Sequence, residues 1–289
     1  MVLKFLWRII VTFNPNTNRM ILFSPAKINI GLQILRQRTD GYHELSTLMY
    51  ILPFSDILEI LPGEKGSGLV FTESGLSIDG KPEDNLCYRA WKLFSEYSAP
   101  TDVRIHLHKQ IPAGAGLGGG SSNAAMVLIG LNNLSGTFTT DQLSGMAAEI
   151  GSDCPVFISG THSLAGGRGE ILRPSKINLK NYFLVLVKPG FNISTAEAYG
   201  NCIKNDRRPP LEELLNQPVK KWKDTIENDF EQSVVPVFPE IGRIKNSLYN
   251  QGAIYASLSG SGSAVYGIFR EPVDPAPEIK KYIIWSGWL

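Results

Sequence analysis

Residues 112–125 read PAGAGLGGGSSNAA, and the fold turns on how that stretch is read. Its glycines leave backbone N–H groups uncovered and permit positive φ. Behind it Ala124, Ala125, Val127, Leu128, Leu131 and Leu134 recur at helical spacing, so the loop opens directly into a helix N-terminus. Unsatisfied donors and the helix dipole there favour phosphate. Ser121 and Ser122 stand where hydroxyls reach a phosphate or its Mg2+. Two other phosphate loops fail the comparison. A P-loop needs Gly-Lys before Ser or Thr, and no lysine precedes Ser121. Residues 114–119 fit G-x-G-x-x-G after a strand, but a dinucleotide fold needs an acidic strand end ~20 residues on. Residues 132–140 read instead as a helix end and a cap.

Upstream, Ile28, Ile30, Leu32 and Ile34 alternate with Asn29, Gly31 and Gln33, a period-two strand. Residues 45–52 and 56–61 read as two further strands, and 103–108 as another. Residues 85–97 put Leu86, Ala90, Leu93, Phe94 and Tyr97 on one helical face. Downstream, Thr139-Thr140-Asp141-Gln142 is a capping-box start for a helix that runs to Ile150. Residues 182–188 form an apolar strand ended by Pro189-Gly190, and 238–250 a helix with Gly252 at its C′ position. Two more strands, 253–258 and 264–269, are joined by Ser259-Gly260-Ser261-Gly262-Ser263. Strands and helices mix without strict βαβ alternation, which predicts an α+β architecture.

The chain has 289 residues, 43% apolar and 19% charged, with net charge +1. That is ordinary globular composition, enough for one large domain or two modest ones. No basic patch stands out, which argues against a nucleic-acid partner. Cys87, Cys154 and Cys202 are widely spaced, odd in number and without a C-x-x-C pair. This argues against a disulfide scaffold and for a reducing cytoplasm. Residues 5–13 are mostly apolar, with Arg8 inside, but fall short of the ~20 residues that a membrane span takes. No small-residue cleavage site follows in Asn14-Pro15-Asn16-Thr17-Asn18. The stretch reads as an extension ahead of a domain that begins near Met20, and no other segment approaches a membrane span.

Residues 112–125 resemble the central motif of the GHMP kinases, the superfamily of galactokinase, homoserine kinase and mevalonate kinase. Ser24-Pro25-Ala26-Lys27-Ile28-Asn29-Ile30-Gly31-Leu32 is similar to that family's first motif. Gly151-Ser152-Asp153-Cys154-Pro155-Val156-Phe157 resembles its catalytic aspartate segment, and Leu258-Ser259-Gly260-Ser261-Gly262-Ser263-Ala264 its third motif. Arg38-Thr39-Asp40-Gly41-Tyr42-His43-Glu44-Leu45 resembles a segment specific to members that phosphorylate a cytidine diphosphate-linked methylerythritol in isoprenoid biosynthesis. The resemblance spans residues 20–269. It implies a GHMP kinase fold: a ribosomal protein S5 domain 2-like domain over 20–171 and a ferredoxin-like domain over 172–289, behind the extension 1–19. It further implies ATP and substrate meeting in a cleft between the domains, Mg2+ as cofactor, and transfer of the γ-phosphoryl to the 2-hydroxyl. The expected partner is a small-molecule substrate, with no nucleic acid and no membrane, and the protein a monomer or homodimer.

Phosphoryl transfer asks for positioning, charge neutralisation and an acceptor for the hydroxyl proton. The resemblance makes Asp153 the general base. It makes Lys27 the cation that keeps that carboxylate ionised and steadies charge in transfer. On local sequence alone Asp153 also reads as a helix-cap or turn residue, and Lys27 as a solvated strand residue. ATP is expected on Pro112, Ala113, Gly114, Ala115, Gly116, Leu117, Gly118, Gly119, Gly120, Ser121 and Ser122. Lys109 is expected to line the nucleotide side and Asn85 and Leu86 to meet adenine, with Mg2+ near Ser121 and no acidic ligand evident.

Asn29, Tyr42, His43, Thr195 and Tyr199 are the expected substrate contacts. Tyr42 and Tyr199 would form the two faces of a cytosine sandwich, a stacked base contributing about 1–3 kcal/mol. His43 would serve the base edge and Thr195 would bond the substrate. Asp40-Gly41 favour a turn that exposes Tyr42. His106 and His108 make an H-x-H on one strand face with no third metal ligand nearby, and His162 has no evident partner. Two other readings stand beside this one. A GHMP kinase for homoserine or mevalonate is disfavoured by Tyr42-His43, because those substrates carry no base. A non-catalytic GHMP-fold protein is disfavoured by the intact Lys27, Asp153 and glycine loop.

Overall fold

The structure, a computed structural model, describes residues 12–14, 19–78, 80–98, 102–200 and 208–289. The chain divides into two compact units. The first gathers Met1–Lys27, Ile51–Ala113 and Gly118–Thr161, the second Ile28–Tyr50, Gly114–Leu117 and His162–Leu289.

In the first unit, strands run in the order β1-β2-β3-β5-β4. They are β1 (Thr12–Asn14), β2 (Arg19–Gln37), β3 (His43–Pro62), β4 (Leu69–Gly75) and β5 (Val103–Lys109), of which β2 and β3 also supply residues to the second unit. Helices α1 (Leu86–Tyr97), α2 (Gly119–Ser135), α3 (Thr140–Ile150) and α4 (Cys154–Ser159) pack together, with α2 touching the other three. Residues 122–131 of α2 are buried without a break, as an apolar helix surrounded by others must be.

Local chemistry starts these helices. The Asn85 carboxamide oxygen accepts from Cys87 N at 2.9 Å, and Thr139 and Gln142 form the reciprocal capping box of α3. In α1 the inward residues are Cys87, Ala90 and Phe94, while Tyr97 is exposed and donates its hydroxyl to Glu149.

Two expected strands, 45–52 and 56–61, are one continuous strand, β3. Pro53 is the first residue of the gap between the two expected strands. That residue is exposed and falls between the segment paired to β6 (Ser163–Gly166) and the segment paired to β5. There a missing N–H costs the ladder least. The expected extension 1–19 lies outside the described residues except for Thr12–Asn14 and Arg19. Thr12, Phe13 and Asn14 pair antiparallel with Ile21, Met20 and Arg19, so part of that stretch is built into a sheet edge. Cys202 also lies outside the described residues.

In the second unit, β6 pairs with residues 47–49 of β3 and with β7 (Ile171–Pro174). A separate antiparallel sheet has the order β11-β8-β10-β9, made of β8 (Phe183–Val187), β9 (Tyr255–Leu258), β10 (Val265–Phe269) and β11 (Ile283–Trp288). The helices are α5 (Thr195–Tyr199), α6 (Leu211–Leu215), α7 (Trp222–Thr225), α8 (Phe230–Val237), α9 (Pro239–Asn250) and α10 (Pro277–Lys280). α9 begins with Pro239, whose fixed φ suits a first helical position. Its Ile241, Ile244 and Leu248 join Val185, Val187 and Val265 of the sheet in one core. Among the described residues no helix is long and apolar enough to cross a membrane.

Candidate active site

The glycine loop is shared between the units: Gly114–Leu117 belongs to the second and Gly118 onward to the first. In the first unit Gly118 has φ 67, and a Cβ there would lie 3.1 Å from Lys27 Cε and 3.0 Å from Phe157 Cζ. Only glycine combines that backbone with that approach. The first intrahelical bond of α2 is Ser122 N to Gly118 O, 2.8 Å, so the N–H groups of Gly119, Gly120 and Ser121 precede the helical ladder and face forward. Ser122 is fully buried and accepts a hydrogen bond from the Ser24 hydroxyl at 2.8 Å. Of the two serines expected at phosphate or Mg2+, Ser122 is thus turned into the core. Ser121 stays partly accessible and hydrogen-bonds the Cys154 thiol.

Lys27 Nζ lies 3.2 Å from Asp153 Oδ2; the lysine side chain is 4% exposed and the aspartate side chain 30%. A nearly buried ammonium thus meets a carboxylate that a substrate can still reach. Asp153 occupies the N-cap position of α4 but makes no side-chain cap bond. Its carboxylate is directed to Lys27 rather than to the helix.

Asn85, besides capping α1, lines a cavity of about 190 Å³ with Phe71, Thr72, Lys81 and Pro82. Leu86 lies over the first turn of α2, since a Cβ on Gly120 would meet its Cδ1 at 3.3 Å. Lys109 is buried and its ammonium is bound to Asp56 at 2.5 Å. Burial pushes the Lys109 ammonium below its ordinary pKa, and the Asp56 charge opposes that shift.

In the second unit the first half of the loop is held by the third motif. The Ser259 hydroxyl donates to Gly116 O at 2.8 Å, and Ala264 N to Ala115 O at 3.1 Å. Gly116 has φ 75, and a Cβ on it would collide with the Ser259 carbonyl oxygen. Asn29 is buried, donates its amide to Thr47 Oγ1 at 3.0 Å, and receives Tyr266 OH on its carbonyl at 2.8 Å. It sits deeper than a surface substrate contact would.

Of the two rings expected to face cytosine, Tyr199 is packed against a neighbour and Tyr42 stands exposed. Tyr199 stacks on His43, ring centroids 4.6 Å apart at 16°, and presents its edge to Phe230. Tyr42 is exposed, as the turn at Asp40-Gly41 predicted, and carries the Arg168 guanidinium 4.9 Å over its ring. The turn is closed by Asp40, which accepts from Tyr42 N at 3.1 Å, and by Glu44, which accepts from Gly167 N at 3.0 Å. Thr195 is exposed at the start of α5.

His106 bonds the Thr72 and Ser74 hydroxyls, and His108 the Ser74 hydroxyl. Among the described residues no group of three His, Cys, Asp or Glu could hold a metal. His162, read without a partner, stacks on Tyr50 at 3.7 Å.

Sequence reasoning missed Asp56, Arg168 and Asn228. Asn228 donates its amide to Leu258 O and Gly260 O and accepts from Phe230 N, clamping the third motif from below. For Asp56 a signal existed: it stands in phase with Phe54, Leu58 and Ile60 on the buried face of β3.

The described cysteines are free and buried. Burial pushes both the Cys87 and the Cys154 thiol up to about 12, so neither is a thiolate at neutral pH. In a Cys202→Ser variant at pH 8, a maleimide is expected to leave the native protein unlabelled and to modify both thiols after denaturation, read by mass spectrometry. Labelling of native Cys154 would show that the segment beside Asp153 opens.

Residues 85–161 match the family GHMP kinases N terminal domain, and 210–282 the family GHMP kinases C terminal. The chain is 44% identical over 258 residues to the 4-diphosphocytidyl-2-C-methyl-D-erythritol kinase of Azobacteroides pseudotrichonymphae, covering 89% of this chain and 96% of that protein. It is 44% identical over 274 residues to the protein of that name in Parabacteroides distasonis, covering 93% and 100%. A crystal structure of a 4-(cytidine 5'-diphospho)-2C-methyl-D-erythritol kinase matches with TM-score 0.75 at 35% identity, covering 86% of this chain and 90% of that one. The chain is a member of the GHMP kinases, ATP-dependent kinases of small molecules, and belongs within them to the 4-diphosphocytidyl-2-C-methyl-D-erythritol kinase family.

Proposed function

We propose that this kinase transfers the γ-phosphoryl of ATP to the 2-hydroxyl of 4-diphosphocytidyl-2-C-methyl-D-erythritol, in the methylerythritol phosphate route to isoprenoids. The observation that carries the proposal is the Lys27–Asp153 pair, 3.2 Å apart, with the lysine stem packed against Gly118 at the head of α2. The acceptor oxygen attacks the γ-phosphorus, the bond to the β–γ bridging oxygen breaks, and ADP leaves. The hydroxyl proton passes to the Asp153 carboxylate. The Lys27 ammonium steadies the charge in transfer, and the N–H groups of Gly119, Gly120 and Ser121 receive the phosphates.

The accessible Ser121 hydroxyl is the protein group that would hold Mg2+ beside the nucleotide's own phosphates; when bound the ion neutralises phosphate charge. Adenine is assigned to the cavity beside Asn85. Ser122, being buried, supports the helix and not the nucleotide.

At the substrate end, the His43–Tyr199 stack supplies the aromatic surface for cytosine, with Tyr42 and Thr195 as the flanking exposed groups. Asn29 shapes the floor through Thr47.

The test is an ATP-coupled turnover assay with Mg2+, offering the cytidine substrate, homoserine and mevalonate in parallel. Turnover of the cytidine substrate alone is expected. Turnover of another acceptor would overturn the substrate assignment, and ATP binding without turnover of any acceptor would overturn the catalytic one.

A further inference from the structure

Asp56 is a carboxylate in the core of the first unit, with no solvent exposure. A buried charge is tolerated only when its lone pairs are matched, and here all the donors come from the two ends of the glycine loop. Oδ1 accepts from Gln110 N at 2.6 Å and Ile111 N at 2.8 Å, the residues that enter the loop. Oδ2 accepts from Lys109 Nζ at 2.5 Å and from Asn123 Nδ2 at 2.9 Å. Asn123 lies in α2, beyond the loop, and its amide also donates to Ser24 Oγ at 2.9 Å, whose hydroxyl donates to Ser122. One carboxylate therefore ties the strand end before the loop to the helix after it. The Lys109 ammonium it holds lies against the first turn of α2: a Cβ on Gly119 would fall 2.9 Å from Nζ.

We infer that Asp56 is a positioning residue for ATP, setting the entry of the glycine loop, the first turn of α2 and the Lys109 ammonium in one geometry. The inference rests on the reading that the phosphates of ATP lie on this loop. A carboxylate that served only the core would affect stability and both substrates alike. One that presets the loop acts on the nucleotide alone, because a small displacement of positioned groups is costly at the bound ligand.

In Asp56→Asn the amide oxygen still accepts from Gln110 N and Ile111 N, but the amide nitrogen faces two donors, Lys109 Nζ and Asn123 Nδ2. The helix side of the tether is released. KM for ATP is expected to rise about tenfold or more, with KM for the diphosphocytidyl substrate unchanged. The exchange Asp56→Asn with Asn123→Asp, in which the amide at position 56 donates to the carboxylate at position 123 and the donor–acceptor match between the two side chains returns with its direction reversed, is expected to recover part of the loss. Asn123→Ser leaves Asp56 with Lys109 and the loop amides, and carries the same test if Asp56→Asn does not fold. A KM for ATP that stays put, or one that rises in step with the other substrate's, overturns the inference. Gly118→Val separates this from failure of the underlying reading. If it raises KM for ATP while Asp56→Asn does not, ATP is on the loop and only the role of Asp56 falls. If Gly118→Val leaves ATP untouched, the phosphate reading fails and this inference falls with it.

Discussion

Asp153→Asn is expected to lower kcat by about 10²–10⁴-fold, the span of a lost general base, while ATP and the diphosphocytidyl substrate still bind. The carboxamide matches the carboxylate in shape, so loop and helix geometry survive, but it neither accepts the hydroxyl proton nor balances the Lys27 ammonium. Lys27 is almost fully buried while Asp153 is about a third open to solvent. The variant therefore leaves a buried cation short of one counter-charge, and a loss of several degrees in Tm is expected beside the catalytic loss. Dissociation constants by titration calorimetry and kcat by the coupled assay separate the two effects. Near-normal turnover would remove Asp153 from the base role. Weakened binding of both ligands with a matching loss of fold would make it structural.

Lys27→Met is expected to cost about 10²–10³-fold in kcat, the usual effect of removing one preorganised group from developing charge. Its effect on stability runs the other way from that of Asp153→Asn. Methionine fills the tunnel beside Gly118 and Phe157 without a buried charge to desolvate, and Asp153 keeps access to water. Removing one partner of an ion pair is costly when it strands a buried charge; here the group left behind, Asp153, is 30% exposed and stays hydrated. Tm is thus expected to hold or rise while turnover collapses, an outcome that loss of fold cannot mimic. Lys27→Arg is not expected to rescue, because a planar guanidinium does not follow the path of a lysine stem already in contact with the Gly118 backbone. Full activity in Lys27→Met would exclude the ammonium from the transfer step.

Much of the architecture could be read from neighbours in the sequence. The Thr139–Gln142 capping box, the helix over Leu86–Tyr97, the alternation of β5 and the glycine loop opening into α2 all appear where the pattern puts them. In each case the deciding contacts lie within a few residues, so propensity, period and capping carry the information. The pairing of Lys27 with Asp153 was legible only through the resemblance of two distant motifs, since neither residue's local setting calls for the other.

What lay beyond the sequence has a common cause: the partner is far along the chain. Ser24 and Ser122 are 98 residues apart, and their bond decides which of two adjacent serines faces the loop. Asp56 and Asn123 are 67 apart, and only their meeting explains an acid inside an apolar strand. Tyr199 and its stacking partner His43 are likewise far apart in the chain, and only folding brings the two rings together. β3 runs on through Pro53, which lies outside the segments that pair with β5 and β6. By itself the sequence determined helices α1, α2 and α3, the glycine loop that opens into α2, and the family. The tertiary structure alone decided which polar side chains turn inward to hold that loop and which remain open to ligand, because that choice depends on donors and acceptors brought together only by folding.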